Sequence, residues 1–307
     1  MKKKTRWLGL YVPAFIILAL SAVVLRTAAY LGYYDPSTEG FSDRTILTVG
    51  QALLAVGIIF SLSYLFIREL KEGLVPSFGT PSVFIPSSIV AIALVYYAIV
   101  LIASSGPEFI EAISDKSMPL MGKVTAAFPF LAGIFALPGV GMFVMNTLSE
   151  KRESVPRAAF GMLLVLSFLF YIFYLCTERS RLTVSEARMA DTMSYVAFSL
   201  FMLFEIRLSI GRDAWRLYAV FGMIAAGVGA YCSIPALIVI FARGETITLT
   251  VYDSVLTFAM TVYAGARLLT TVTLSEDRES PVVALIKRRS AHNEDRETQA
   301  ERNGEEI

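Results

Sequence analysis

An all-α bundle of membrane-spanning helices is the fold class this sequence predicts, and three observations predict it. Apolar residues fill 55% of the 307 positions and charged residues only 17%, with a mean hydropathy of +0.62, far from the balance of a soluble domain. The apolar residues gather into eight runs of roughly 20 residues, the length a helix needs to cross about 30 Å of hydrocarbon. The connections between runs are too short to hold a soluble domain. Backbone polar groups cannot go unsatisfied in lipid, so such runs pack together as helices.

Lys2, Lys3, Lys4 and Arg6 precede the first run, from Trp7 to about Gly32. It resembles a secretory signal, but its apolar core is longer than usual and no small-x-small cleavage site follows. An uncleaved first span is expected. The remaining spans are placed at 45–67, 84–104, 124–148, 158–176, 189–210, 217–242 and 254–272. Residues 1–273 then form the bundle. The stretch 274–307 is a charged, disordered cytoplasmic tail, too polar to fold alone.

Charge asymmetry orients the chain. Lys2, Lys3, Lys4, Arg6, Arg68, Lys71, Lys151, Arg152, Arg157, Arg212 and Arg216 fall on one side of the alternating spans. Asp35, Glu39, Asp43, Glu108, Glu111 and Asp115 fall on the other. The positive-inside rule therefore places both termini in the cytoplasm. The 178–188 connection opposes this, because Arg179, Arg181 and Arg188 would lie outside; the other loops outvote it.

Two spans carry helix-breaking residues. The fourth has Pro129 and Pro138 among Gly133, Gly139 and Gly141; the seventh has Gly222, Gly227, Gly229 and Pro235. Kinks or partly opened turns are expected there, serving either close packing or a ligand path. Ser61–Leu70, SLSYLFIREL, and Ser199–Leu208, SLFMLFEIRL, hint at two four-helix halves in parallel repeat. Coincidence explains so short an apolar match equally well.

Charged groups within spans are costly and mark either a structural pair or a pathway. Asp191 and Glu205 lie on one face of the sixth span with Tyr195, Phe198, Met202 and Ser209. Arg207 lies on the opposite, oily side, where its stem can carry the guanidinium to the headgroups. Asp253 opens the eighth span and Arg267 follows on about the same face. At 1.5 Å per residue, Glu205 and Arg267 each lie about 21 Å from the acid that opens their span, so they share a depth in the inner half of the membrane. Arg26, on a first-span face of small residues, lies near the outer boundary, level with Asp191 or Asp253. The candidate polar site is therefore Arg26, Asp191, Glu205, Asp253 and Arg267, serving either to orient the bundle or to meet a ligand.

Other chemistry finds no footing. A net charge of +1 leaves no basic surplus for nucleic acid. The only histidine, His292, lies in the tail, and Cys176 and Cys232 have no ligand-like neighbours, so no metal site is expected. No H-E-x-x-H, Walker loop or serine with a membrane histidine is present. The chain is expected to be neither an enzyme nor the holder of a cofactor.

The runs LFEIR at Leu203–Arg207, YAGARLL at Tyr263–Leu269 and VVLRT at Val23–Thr27 resemble uncharacterised multi-pass proteins of bacterial cytoplasmic membranes. The resemblance implies a location in such a membrane and brings no activity. The leading functional expectation is a membrane protein with a polar site between helices, moving a small solute. The alternative is a sensor or scaffold that signals through its cytoplasmic loops and tail to a protein partner. Beyond the lipid bilayer, the partner is thus an unidentified small solute or protein.

Overall fold

A computed structural model of the chain describes residues 6–35, 40–66, 81–148, 154–177, 186–212, 214–244 and 250–277. Those residues form eight long helices: α1 (Arg6–Tyr33), α2 (Thr45–Ser63), α3 (Pro81–Ser114), α4 (Leu120–Leu148), α5 (Val155–Thr177), α6 (Glu186–Ser209), α7 (Trp215–Arg243) and α8 (Val251–Asp277). A single 3₁₀ turn, Tyr64–Phe66, follows α2. A two-residue antiparallel bridge, Tyr34 to Phe41 and Asp35 to Gly40, joins α1 to α2. The fold is all-α, as expected. The loop charges at 67–80 and 178–185 and the tail from 278 onward lie outside the described residues.

Seven of the helices, α1 to α7, are long and apolar enough to cross a membrane. Their exteriors support that setting, with Ile17, Ile59, Ile92 and Phe241 all turned outward. The eighth expected span forms a helix of 27 residues that is not among these seven when only the described residues are counted. It packs between α3 and α7, and its described side chains are mostly covered by protein rather than presented outward.

Six helices close a ring: α3, α4, α5, α6, α7 and α8 are neighbours in turn, and α8 returns to α3. Contacts between α6 and α8 cross its interior. Helix α1 lies against α7 outside the ring, and α2 packs chiefly on α1. Close approach is set by small residues. A Cβ on Gly133 of α4 would come within 2.7 Å of Ile102 on α3, and one on Gly161 of α5 within 2.7 Å of Ile206 on α6.

One sequence expectation is narrowed and one needs correction. Of the kinks or partly opened turns expected in α4 and α7, no opened turn is found: both helices run continuously through Pro129, Pro138 and Pro235. Their glycines allow backbones to meet, and Ser233 Oγ returns a hydrogen bond to Gly229 O at 2.7 Å beside Pro235. Helix α3 also runs ten residues past its expected end at Ser104, through Gly106 and Pro107. Ser105 Oγ bonds Leu101 O at 2.6 Å, and Phe109 stacks on Phe130 of α4 at 4.8 Å, which holds the extension down. Glu108 and Glu111 are therefore helical. Asp115 follows in the turn, where the Ser117 hydroxyl and backbone N–H hold its carboxyl below the usual carboxylate range.

The termini of these helices are secured locally. Ser154 Oγ accepts from Arg157 N at the start of α5, and Ser154 N donates to Ser209 O at 3.0 Å, tying α5 to the end of α6. Helix α7 stops at Gly244, whose φ of +71° supplies the left-handed turn that closes it. At the start of α8, Thr250 Oγ1 donates to Asp253 Oδ2 and accepts from Asp253 N, a reciprocal cap.

Candidate functional site

All five sequence candidates are buried: Arg26 at 2%, Asp191 at 2%, Glu205 at 0%, Asp253 at 2% and Arg267 at 0% exposure. Helical register explains this on α6. Asp191, Tyr195, Phe198, Met202 and Glu205 turn inward, while Met193, Val196 and Arg207 are exposed. The five do not form one site. They divide among three clusters, two inside the ring and one beside it.

The first cluster joins α4, α6 and α8. Arg267 Nη2 lies 2.9 Å from Glu205 Oε1, and Tyr263 Oη donates to the same oxygen at 2.6 Å. Asn146 Nδ2 in turn donates to Tyr263 Oη at 2.8 Å. Tyr218 of α7 and Arg157 of α5 stand within electrostatic reach of Glu205. Glu205 Oε2 and Asn146 Oδ1 are both buried acceptors with no hydrogen-bond partner among the described residues.

The second cluster surrounds Asp253. Its Oδ2 accepts from Tyr171 Oη of α5 at 2.7 Å and from Thr250 Oγ1 at 2.6 Å; its Oδ1 accepts from Tyr195 Oη of α6 at 2.9 Å. Tyr97 of α3 packs edge-on against Tyr171 at 5.7 Å and also faces Tyr252 at 5.9 Å. The Tyr97 hydroxyl is fully buried and has no hydrogen-bond partner among the described residues.

An apolar layer parts these two clusters. Tyr195 and Glu205 are ten residues apart on α6, as are Asp253 and Tyr263 on α8, about 15 Å in each case. Phe198, Met202 and Met260 occupy the interval and are buried at 1%, 0% and 0% exposure; the buried hydroxyls of Thr257 and Ser199 lie at its Asp253 end. Phe168 touches the Tyr195 ring from one side of the layer, and Phe143 meets Tyr263 from the other.

The third cluster lies where α1 meets α7. Arg26 donates to Tyr30 Oη at 3.1 Å and to Cys232 Sγ at 3.5 Å, and its guanidinium lies 4.3 Å from the Tyr231 ring centre. Asp191 stands within electrostatic reach of both Arg26 and Cys232. Of the two acids the sequence left open for Arg26, Asp191 is thus its neighbour. A groove of about 500 Å³ between α2, α5, α6 and α7 is apolar, lined by residues such as Ile58, Met193, Leu200 and Phe221. It holds none of the charged groups, so the polar chemistry lies elsewhere.

No known family model, curated protein or solved structure matches this chain. The clusters themselves must carry the functional reading. Among the described residues, no group of three His, Cys, Asp or Glu side chains is placed to hold a metal ion.

Sequence reasoning missed several members of these clusters. The charge pattern places Arg157 in a loop, yet it is the third residue of α5, buried, with Nη2 3.5 Å from Met145 O. Its signal was the apolar run that starts immediately after it. Asn146 was an amide inside a predicted span, a residue that lipid does not tolerate without a partner. Tyr97 and Tyr171 gave no signal beyond the general burial of aromatic residues.

Proposed function

We propose that the protein moves a small polar solute across a membrane through the interior of the six-helix ring. One observation carries this reading: two polar clusters face the same interior, about 15 Å apart, with Phe198, Met202 and Met260 between them. Each level also holds buried polar atoms without a hydrogen-bond partner among the described residues, which a polar ligand could meet. Glu205 Oε2 and Asn146 Oδ1 at one level, and the Tyr97 hydroxyl at the other, are such atoms.

In this reading α8 spans the membrane with the seven apolar helices, shielded from lipid by α3 and α7. Both termini lie in the cytoplasm, on the charge asymmetry of the loops; the bacterial setting rests on the resemblance of the LFEIR, YAGARLL and VVLRT runs alone. The Asp253 cluster is then the outer station and the Glu205–Arg267 cluster the inner one. Polar groups at membrane depth belong to pathways when they line a cavity between helices.

Reconstitution tests the proposal. Proteoliposomes carrying the protein should accumulate at least one member of a panel of labelled small polar solutes above empty liposomes. Asn146→Ala should lower that flux while the protein stays monodisperse. Equal flux with and without protein across the panel would reject transport.

A further inference from the structure

The three buried acids among the described residues are not equivalent. Glu205 has Arg267 as its counter-charge, and Asp191 has Arg26 within electrostatic reach. Asp253, at 2% exposure, is met by the hydroxyls of Tyr171, Tyr195 and Thr250 and by the Thr250 backbone N–H, with no arginine or lysine within pairing distance among the described residues. A buried carboxylate without a counter-charge is expensive to keep ionised.

Capping accounts for part of the arrangement. The reciprocal bond between Thr250 and Asp253, and the positive end of the α8 dipole, both favour a negative charge there. Capping needs neither the two tyrosine hydroxyls nor the rings behind them. Tyr171 and Tyr195 converge on the carboxylate from α5 and α6, with ring centres 4.9 Å apart, and Tyr97 and Tyr252 extend the aromatic wall. The fully buried Tyr97 hydroxyl, within electrostatic reach of Asp253, adds an oxygen with no hydrogen-bond partner among the described residues.

We propose that the Asp253 cluster is a binding site for a small organic ammonium ion, with the carboxylate as counter-charge and Tyr97, Tyr171 and Tyr195 as its aromatic wall. An alkali cation uses the charge but gains nothing from N–H donors. An ammonium group can donate to Asp253 and to the Tyr97 oxygen together. The acceptors without partners in the other cluster, Glu205 Oε2 and Asn146 Oδ1, suit the same donors. The inference deepens the transport reading by naming the class of solute, and it rests on that reading for its purpose.

The test reads binding without flux. Thermal unfolding of the full-length protein in detergent is followed with methylammonium chloride against sodium chloride at equal ionic strength and pH. Methylammonium should raise the midpoint saturably, as a ligand of the native state does, and sodium should not. Asp253→Asn should abolish the shift. Tyr97→Phe, which keeps the ring, should weaken half-saturation by about fivefold, the loss of one hydrogen bond. If Asp253→Asn does not fold, Tyr97→Phe and Tyr195→Phe decide the matter. No shift, an equal shift with sodium, or an undiminished shift in these variants overturns the ammonium site. Solute flux measured in the same preparation would then leave the transport reading standing with another solute.

Discussion

Arg267 of α8 and Glu205 of α6 meet at 2.9 Å inside the helix ring, both fully shielded. Arg207, only two residues beyond Glu205, is exposed on the opposite face of the same helix. Helical register alone separates a charge that needs a partner from one that can reach the headgroups.

Breaking that pair should therefore be costly. Glu205→Gln leaves Arg267 without its counter-charge, and Arg267→Gln does the reverse; each is expected to cost about 3–5 kcal/mol. The double variant should cost clearly less than the sum, because the second change removes the stranded charge. Arg207→Gln should be mild. Unfolding midpoints in detergent measure all four, and strictly additive effects would reject the coupling.

Glycine packing supplies an independent test of the α6–α7–α8 contact. A Cβ on Gly229 would meet Thr261 Oγ1 and come within 2.5 Å of Phe198 Cζ, whereas one on Gly265 would meet nothing within 4 Å. Gly229→Ala should destabilise by about 1–3 kcal/mol. Gly265→Ala should be neutral or stabilising by up to about 1 kcal/mol, through helix propensity. Equal effects at the two sites, read by thermal unfolding, would contradict the packing.

Much of this was legible because it depends on one helix at a time. Glu205 and Arg267 share a depth because each lies 14 residues from the acid near the start of its span, a count that needs no tertiary knowledge. The lipid-facing side of α6 followed from the same periodicity. Closure of the ring did not, since it depends on which helices become neighbours, and single-helix patterns are silent on that. Arg157 was misplaced because positive charge near a span end reads as a loop anchor whether it points outward or back under α4. The extension of α3 was hidden by Ser104, Ser105, Gly106 and Pro107, which look like a terminator until Phe130 of the next helix is in place.

Arg26 should act as the fastener of α1. Arg26→Gln loses the bond to Tyr30, the contact with the Tyr231 ring and the positive charge beside buried Asp191, at an expected cost of about 3–5 kcal/mol. Tyr231→Leu should remove part of the same interaction, so the two changes should couple. Additive losses in a double-mutant cycle would show that the guanidinium and the ring act separately.

Reporter fusions check the orientation. Fusions after Glu39, in the turn after Asp115, and after Glu245 should score as external, and those after Lys71 and Glu153 as cytoplasmic. Reversal at Glu39 and Lys71 together would invert the assignment of the outer and inner stations.

The most direct measurement is labelling of single cysteines by a membrane-impermeant maleimide, in oriented vesicles and with Cys176 and Cys232 replaced by serine. Tyr171→Cys reports the Asp253 cluster, Asn146→Cys the Glu205 cluster, and Met260→Cys the layer between them. A transport path predicts that Tyr171→Cys reacts from the outside, Asn146→Cys from the cytoplasm, and Met260→Cys much more slowly than either. Two stations unreactive from both faces, at the rate of Met260→Cys, would show a sealed structural core and contradict the account.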